Sequence, residues 1–431
     1  MKKVCVVGLG YIGLPTAIIA AEKGYEVVGF DVDQERVDRI NKYDPVIEEP
    51  EIIGRLESVL KNKSFRATTE IEPADYYVVA VPTPLTLHHG VDLQFVWSAL
   101  ASIMLVMKPG STVILESTVP VGTTEKMVQR IHRYNKEWKV GVDFFAAHCP
   151  ERVLPGNIFY ELEHNDRIIG GYDDTSSEHA AAFYRSFVTG EIYMKSGRLA
   201  EMVKLIENSS RDVQIAFAHQ VASMAEAAKL DPYEVIDMAN KHPRVNVLNP
   251  TSGVGGHCIA IDPYFLMESF PQQTQLIAAA RQVNNLRTQQ VIDQIHHAVA
   301  EFKQPPTLLL AGLTYKADVD DLRESPALKI AQTLQGYDNI NFLVTEPNVS
   351  KANLQQYFKP EQIVSFEQGI EKVDMIVLLV AHSVFKIDLH VQVLQSKHIL
   401  DYCGSWFKAI QKTENSFYRP SVVEKNFDQK L

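Results

Sequence analysis

The sequence predicts an α/β protein in which a doubly wound lobe is followed by one long helix, further helices and a second α/β lobe. Three observations carry this. Short β-rich runs alternate with helical stretches through the first part of the chain, the pattern of a parallel sheet covered by helices. Arg198 to Lys229 reads as one helical stretch with no proline and no internal glycine. A fresh β-rich run starts directly after Pro305-Pro306. The chain has 431 residues, enough for two or three domains of about 100–200 residues, each able to bury its own core.

In the first lobe, Val4–Val7, Glu26–Phe30, Tyr76–Val81, Thr112–Glu116 and Phe144–Ala147 read as strands. Most are near-continuous apolar runs, as strands buried on both faces require. Leu14–Lys23 and Gln34–Asn41 fit helices, and the lobe is expected to end near residue 190. The long stretch exceeds a typical domain helix and reads as a spine joining two lobes. Pro232–Asn240 and Gln272–Lys303 continue as helices. Thr307–Leu313, Ile340–Val344, Met375–Val380 and Ile399–Tyr402 supply the strands of the second lobe, and the polar residues at the C-terminus read as a tail.

The composition, 46% hydrophobic and 22% charged, is that of a globular protein. A formal charge of −11 without a long basic run argues against a nucleic-acid partner. Any anionic ligand must then be met by locally placed Arg and Lys. The four cysteines, Cys5, Cys149, Cys258 and Cys403, are scattered without Cys-x-x-Cys spacing. That speaks against a disulfide framework or a structural metal site and suits the reducing cytoplasm. Met1-Lys2-Lys3 before an apolar run imitates a secretory signal, but the glycines within that run have a better explanation. No run of eighteen apolar residues is present, so no membrane span is expected.

Gly8-Leu9-Gly10-Tyr11-Ile12-Gly13 follows the first strand and opens a helix, the context that a dinucleotide fingerprint requires. Gly8 permits the tight turn, Gly10 lets the backbone approach a pyrophosphate, and Gly13 allows close helix–strand packing. The helix N-terminus offers N–H groups and partial positive charge to the phosphates. Asp31 ends the second predicted strand, where a carboxylate accepts hydrogen bonds from the adenine ribose and repels a 2′-phosphate, favouring NAD over NADP. The plainer account of Asp31 is a helix cap. Arg36 either covers the adenosine or is a solvated helix residue.

Gly253-Val254-Gly255-Gly256-His257-Cys258 is the most informative stretch. Its glycines permit unusual backbone angles and close approach of a ligand. A cysteine at the end of such a loop is placed as a nucleophile, the alternative being a buried structural thiol. Asp262 lies four residues on and would share a helix face with Cys258 if the segment is helical. On the spine, Lys204, Asn208 and Arg211 form one polar stripe with Met202, Val203, Leu205 and Ile206 around it. Spacing alone favours a solvated helix face, but a lysine in apolar surroundings also serves acid–base chemistry when desolvated. Pro150-Glu151-Arg152 and His242-Pro243-Arg244 are proline-stiffened loops whose arginines suit bidentate contacts to phosphate or carboxylate.

At these residues the sequence resembles the UDP-glucose/UDP-mannose dehydrogenase family over essentially the whole chain, and within it the UDP-N-acetyl-D-mannosamine 6-dehydrogenases. The resemblance rests on the glycine fingerprint through Leu14-Pro15, Val81-Pro82-Thr83-Pro84, Glu116-Ser117-Thr118 and Cys149-Pro150-Glu151-Arg152-Val153-Leu154-Pro155-Gly156. It rests equally on the Lys204–Arg211 stripe, His242-Pro243-Arg244-Val245-Asn246, Gly255-Gly256-His257-Cys258, Gly312-Leu313-Thr314-Tyr315-Lys316 and Asp321-Leu322-Arg323-Glu324-Ser325-Pro326. It implies two doubly wound Rossmann-like lobes joined by a long central helix and a helical middle domain. The expected parts are an NAD-binding domain over 1–190, a dimer-forming central domain over 191–303, a UDP-binding domain over 304–415 and a tail over 416–431.

By the same resemblance, Cys258 is the nucleophile and Lys204 the acid–base residue. Asn208 and Asp262 orient groups around the reacting carbon and a water, and Glu151 and Thr118 serve the hydrolysis. Gly8, Gly10, Tyr11, Ile12, Gly13, Asp31, Arg36, Thr83, Thr118 and Arg323 would hold NAD, Arg323 from across a subunit boundary. Arg152, Val153, Lys204, Asn208, Arg211, His242, Arg244, Gly255, Tyr315 and Lys316 would line the site of a UDP-N-acetylhexosamine. A homodimer or higher oligomer is implied. Two stretches depart from the family pattern. Asn249-Pro250-Thr251-Ser252 stands where relatives carry Gly-Pro, and Asp401-Tyr402-Cys403-Gly404 stands where relatives often carry a basic residue.

The implied reaction takes a primary alcohol to a carboxylate. It removes four electrons, so two NAD molecules act in turn, with a base taking the hydroxyl proton. A thiolate that adds to the intermediate aldehyde prevents its escape and creates a thiohemiacetal that can be oxidised to a thioester. A two-electron dehydrogenase of the β-hydroxyacid type would share the fingerprint and a spine lysine but has no use for Cys258 or a second α/β lobe. A non-catalytic NAD- or UDP-sugar-binding protein would lack the nucleophile and base. UDP-N-acetylglucosamine and UDP-glucose are the alternative sugars.

Overall fold

The computed structural model describes residues 1–45, 47, 49, 51–153, 156–385 and 397–406. The chain forms two compact units, one of residues 1–207 with 264–274, the other of 208–263 with 275–431. The expected tail and the last part of the second lobe fall outside the described residues.

The first unit is built on eight strands: β1 (Lys3–Val7), β2 (Glu26–Phe30), β3 (Phe65–Thr68), β4 (Tyr76–Val79), β5 (Ser111–Leu115), β6 (Phe144–His148), β7 (Arg167–Gly171) and β8 (Ile192–Ser196). Their order is β3-β2-β1-β4-β5-β6-β7-β8. Neighbours are parallel except β6 and β7. The order reverses between β1 and β4, so the crevice outside their carboxyl ends is where such a sheet takes a ligand. The helices α1 (Gly13–Glu22), α2 (Gln34–Asn41), α3 (Ile52–Lys61), α4 (Gln94–Val106), α5 (Thr123–Tyr134), α6 (Ile158–His164) and α7 (Asp174–Tyr184) complete the lobe. Two apolar cores form. One packs Leu14 and Ile18 of α1 with Leu56 and Phe183, and the other packs Leu100 and Ile103 of α4 with Met127 and Ile131 of α5.

The five strands expected from the sequence are present. The sheet also takes in β3, β7 and β8, which carry Arg66, Arg167 and Lys195 and lack the continuous apolar run that marked the others. β8 carries the sheet on to Ser196, just past the expected end of the lobe near residue 190.

The spine is α8 (Gly197–Ala227), which lies in the first unit up to Glu207 and in the second beyond it. It is followed by α9 (Pro232–Ala239), α10 (Asp262–Ser269) and α11 (Gln275–Ala300). Asp231 starts α9 by accepting the N–H groups of Tyr233 and Glu234, with Pro232 in the first helical position. The second unit carries the parallel sheet β10-β9-β11-β12, made of β9 (Thr307–Ala311), β10 (Asn341–Thr345), β11 (Met375–Leu378) and β12 (His398–Asp401). The helices α12 (Pro326–Leu334), α13 (Lys351–Leu354) and α14 (Phe366–Lys372) accompany it. Ser325 caps α12 through Leu328 N at 3.2 Å, again with proline next.

Within the second unit, α8 and α11 meet through a buried polar seam. Asp212 accepts from Arg281 and from Asn284 Nδ2 (2.7 Å), and His219 Nδ1 lies 2.8 Å from Asn284 Oδ1. Burial, reinforced by the Arg287 charge, pushes the His219 pKa down to about 3. The neutral ring can therefore accept from Thr251 N on Nε2 (3.2 Å) while Nδ1–H donates to Asn284. Arg287 Nε donates to Thr251 O (3.0 Å), and Ser252 Oγ to Leu379 O (3.1 Å). The unusual Thr251-Ser252 segment is thus anchored by these three contacts.

Candidate active site

The glycine fingerprint is built as its spacing requires. Gly8 adopts φ +93°, and a Cβ there would stand 2.6 Å from Ala80 O. A Cβ on Gly13 would stand 1.8 Å from Gly8 O, so only glycine lets α1 start so close to the turn. Gly10 faces open space, leaving its backbone approachable. Tyr11 and Ile12 are half-buried beside it, Ile12 directly preceding α1. These features fit a dinucleotide pyrophosphate at the α1 N-terminus. Ser117 Oγ donates to Val81 O (2.7 Å), tying the segment that leads to Thr83 to the one that carries Thr118, both after parallel strands.

Asp31 is buried. Its Oδ2 accepts from Leu9 N (2.8 Å) and pairs with Arg36 (2.9 Å), and its Oδ1 accepts from Asp33 N (3.0 Å). It does not cap α2; Asp33 does, through Arg36 N at 3.2 Å. Arg36 is not simply solvated either, since its guanidinium lies on Asp31.

Glu151 and Arg152 follow β6 in the first unit. Glu151 accepts from Arg152 N and pairs with the buried Arg167 (3.1 Å). Arg152 forms a two-pronged ion pair with Glu207 (2.7 and 3.1 Å), so its fork is engaged within the protein. Val153 packs on the apolar core, and Leu154 and Pro155 lie outside the described residues. Beneath Glu151, Glu116 is buried, accepting from Tyr184 OH (2.7 Å) and Thr16 Oγ1 (3.4 Å). Burial raises its pKa to about 7 against the pull of Arg167, and the Glu151 charge adds to the rise. Lys204 is half-buried; of the apolar residues expected around it, Leu205 is buried but Met202 and Ile206 are exposed.

The second unit holds Cys258, the one exposed cysteine of the four. Cys5 and Cys149 are buried, and burial pushes both thiols up to about 12. The chain turns after Cys258, and α10 starts at Asp262, so the two do not share a helix face. Instead Asp262 N donates to Cys258 O (2.9 Å). The Asp262 carboxylate accepts from Asn208 Nδ2 (2.5 Å). The loop glycines have a packing reason that the sequence did not reveal. A Cβ on Gly255 would stand 2.4 Å from Glu324 O, and one on Gly256, at φ +80°, 2.8 Å from the Tyr315 ring.

His242 and Arg244 are exposed on a loop pinched by Asn240, whose amide exchanges two hydrogen bonds with Val247 (2.9 and 2.7 Å). Arg211 and Lys316 are exposed and Tyr315 is half-buried. Arg323 is exposed and held by Asp321 (2.7 and 2.9 Å). Sequence reasoning missed Arg167, Tyr184, Glu207, Glu346 and His382, which engage the named residues or their loops. Their only sequence signal is a charged or polar side chain within or just after an otherwise apolar strand or helix, as with Arg167 in β7.

Comparison with known proteins accounts for this arrangement. Residues 2–188 match the NAD binding domain of the UDP-glucose/GDP-mannose dehydrogenase family, 198–286 its central domain and 309–407 its UDP binding domain. An NDP-N-acetyl-D-galactosaminuronic acid dehydrogenase of Ralstonia nicotianae is 41% identical, covering 94% of this chain and 96% of its own. A UDP-N-acetyl-D-mannosamine dehydrogenase of Campylobacter jejuni is 41% identical, covering 93% and 99%. The solved structure of the UDP-N-acetyl-mannosamine dehydrogenase Cap5O from Staphylococcus aureus superposes with a TM-score of 0.85 at 36% identity, covering 98% and 97%.

Proposed function

Because the chain belongs to the UDP-glucose/GDP-mannose dehydrogenase family, an NAD-dependent oxidoreductase acting on a UDP-sugar, we propose that it oxidises C6 of UDP-N-acetyl-D-mannosamine to the uronate, for surface polysaccharide biosynthesis. The observation that carries the chemistry is the exposed Cys258 whose carbonyl takes the Asp262 N–H, with Asp262 in turn bonded to Asn208.

NAD, when bound over the Gly8–Gly13 turn, accepts two electrons in each of two successive oxidations. Lys204 takes the C6 hydroxyl proton in the first. The Cys258 thiolate then forms a bond to the aldehyde carbon, and the oxygen is protonated to give a thiohemiacetal. Its oxidation leaves a thioester on Cys258. Water, activated by Glu151 and Thr118 and oriented by Asn208 and Asp262, attacks that carbon. The C–S bond breaks, the thiolate is regenerated and the uronate leaves. Lys204 as an ammonium stabilises the oxyanions. Arg152, Val153, Arg211, His242, Arg244, Gly255, Tyr315 and Lys316 line the UDP-sugar site, and Asp31, Arg36, Thr83 and Arg323 serve the cofactor.

The same reading divides the chain into an NAD domain, a central domain over 191–303 and a UDP domain over 304–415. It also makes the protein a homodimer through α8. Leu199, Met202, Ile206, Phe217 and Met224 are exposed at spacings that repeat one face of that helix, which supports a partner there. No described helix is long and apolar enough to cross a membrane; a nucleophilic thiol requires a reducing compartment, here the cytoplasm.

The Ralstonia relative, named for a galactosaminuronic acid, supports a second reading in which the sugar differs at C4 as well as C2. The test is turnover with NAD and, separately, the UDP derivatives of N-acetylmannosamine, N-acetylglucosamine, N-acetylgalactosamine and glucose, with the uronate identified by mass. The mannosamine sugar is expected to lead in kcat/KM by about tenfold or more. A lead for any other sugar overturns the sugar assignment and leaves the chemistry standing.

A further inference from the structure

The sheet of the second unit repeats, at its own first turn, a contact found in the first. After β9, Gly312 adopts φ +82°, and a Cβ there would stand 2.4 Å from Val380 O, as one on Gly8 would from Ala80 O. Glu346, just past the end of β10, accepts from Leu313 N (2.7 Å), as Asp31 after β2 accepts from Leu9 N (2.8 Å). The likeness ends at the next neighbour. Asp31 meets Arg36, whose side chain is partly exposed, whereas Glu346 is closed over by the buried His382.

The His382 ring has one consistent hydrogen-bonding state. Its Nε2 lies 2.9 Å from Glu346 Oε2, and its Nδ1 accepts from Asp318 N at 3.0 Å. A backbone N–H can only donate and a carboxylate only accepts, so the proton sits on Nε2. Glu346 also accepts from Thr314 N (3.2 Å) and Asn348 N (3.0 Å). Between them the two side chains hold both ends of Leu313–Asp318. Asp318 sits at φ +59°, a left-handed conformation that a non-glycine residue keeps only when its surroundings impose it. Within the loop, Thr314 Oγ1 donates to Lys316 O (2.8 Å) and Tyr315 N to Asp321 O (3.1 Å). The Tyr315 ring fills the space that a side chain on Gly256 would need, two residues before Cys258.

We propose that Glu346 and His382 are a positioning pair that fixes the Leu313–Asp318 loop in the geometry that grips the uridine diphosphate of the substrate. The pair touches neither substrate nor cofactor and acts through Tyr315 and Lys316, so the inference rests on the reading of those two residues as substrate contacts.

The test uses the full chain, with UDP as the titrated probe and NAD as the control ligand. His382→Ala takes one donor from Glu346 and removes the acceptor that holds the Asp318 N–H, and UDP should bind about tenfold more weakly or worse. KM for the UDP-sugar should rise by a similar factor while KM for NAD stays within about twofold. A purely structural loss would lower the folded fraction and hence apparent kcat, leaving both KM values in place. His382→Gln, whose amide can still donate to Glu346, should recover part of the affinity. If His382→Ala does not fold, His382→Phe carries the same test, because it keeps a ring in the space while removing both the donor to Glu346 and the acceptor of the Asp318 N–H. Unchanged UDP affinity in whichever variant folds, or no recovery by His382→Gln, overturns the proposal. Failure of the unaltered protein to bind UDP would instead remove the reading of Tyr315 and Lys316.

Discussion

Asn208 donates its side-chain amide to Asp262 at 2.5 Å, and the backbone of Asp262 holds the carbonyl of Cys258. A residue on the spine helix is thereby linked, through one carboxylate, to the loop that ends in Cys258, the proposed nucleophile. Asp262→Ala should break that link while leaving the backbone turn free to form. The expected result is a loss of about 10²-fold in kcat with the dissociation constant of NAD within about twofold, read by steady-state kinetics and a cofactor titration. Asn208→Ala should move kcat in the same direction, and the double variant should lose less than the product of the two.

The last two glycines of the fingerprint play different parts, and alanine separates them. Gly10 has open space where a Cβ would go, so Gly10→Ala should fold normally and weaken NAD about tenfold or more by holding the pyrophosphate off the backbone. At Gly13 the Cβ would meet Gly8 O at 1.8 Å, so Gly13→Ala should destabilise the first lobe by about 2 kcal/mol or more. Thermal denaturation beside NAD titration distinguishes the two; a normal melting temperature for Gly13→Ala would contradict the packing account.

Glu116 makes stability depend on pH in an unusual direction. Its folded pKa is raised to about 7, chiefly by burial, above the ordinary carboxylate value near 4.3 in an unfolded chain. Between those values the folded protein binds a proton that the unfolded chain has lost. The stabilisation from this group is complete at low pH and disappears as pH rises through about 7. Glu116→Gln, which cannot ionise, should lack that slope. Relative to the unaltered protein its melting temperature should climb from pH 5 and level off above about pH 7, and a difference that stays flat from pH 5 to pH 7 would show Glu116 to be ionised throughout.

Much of this molecule was legible in its sequence. The strands β1, β2, β4, β5 and β6 announce themselves as near-continuous apolar runs, and α2 and α9 by an aspartate directly ahead of the first turn. Phe65–Thr68 and Ile192–Ser196 were not legible, being short strands of mixed polarity at the two edges of the sheet. Arg167–Gly171 carries a buried arginine and two glycines, and nothing in five such residues announces an antiparallel pairing with β6. At the candidate site, residues inside motifs could be named from the sequence, but their partners could not. Glu207 on Arg152, Arg167 on Glu151 and His382 on Glu346 come from elements distant along the chain, and only packing of the sheet and helices brings them together.

The central claim is that Cys258 carries the sugar as a thioester, and the most direct measurement is the NADH released per UDP-sugar consumed by the protein and by Cys258→Ser. The account predicts two NADH per sugar from the unaltered protein and loss of the second from the variant. Two NADH per sugar from Cys258→Ser at an unchanged rate would contradict it.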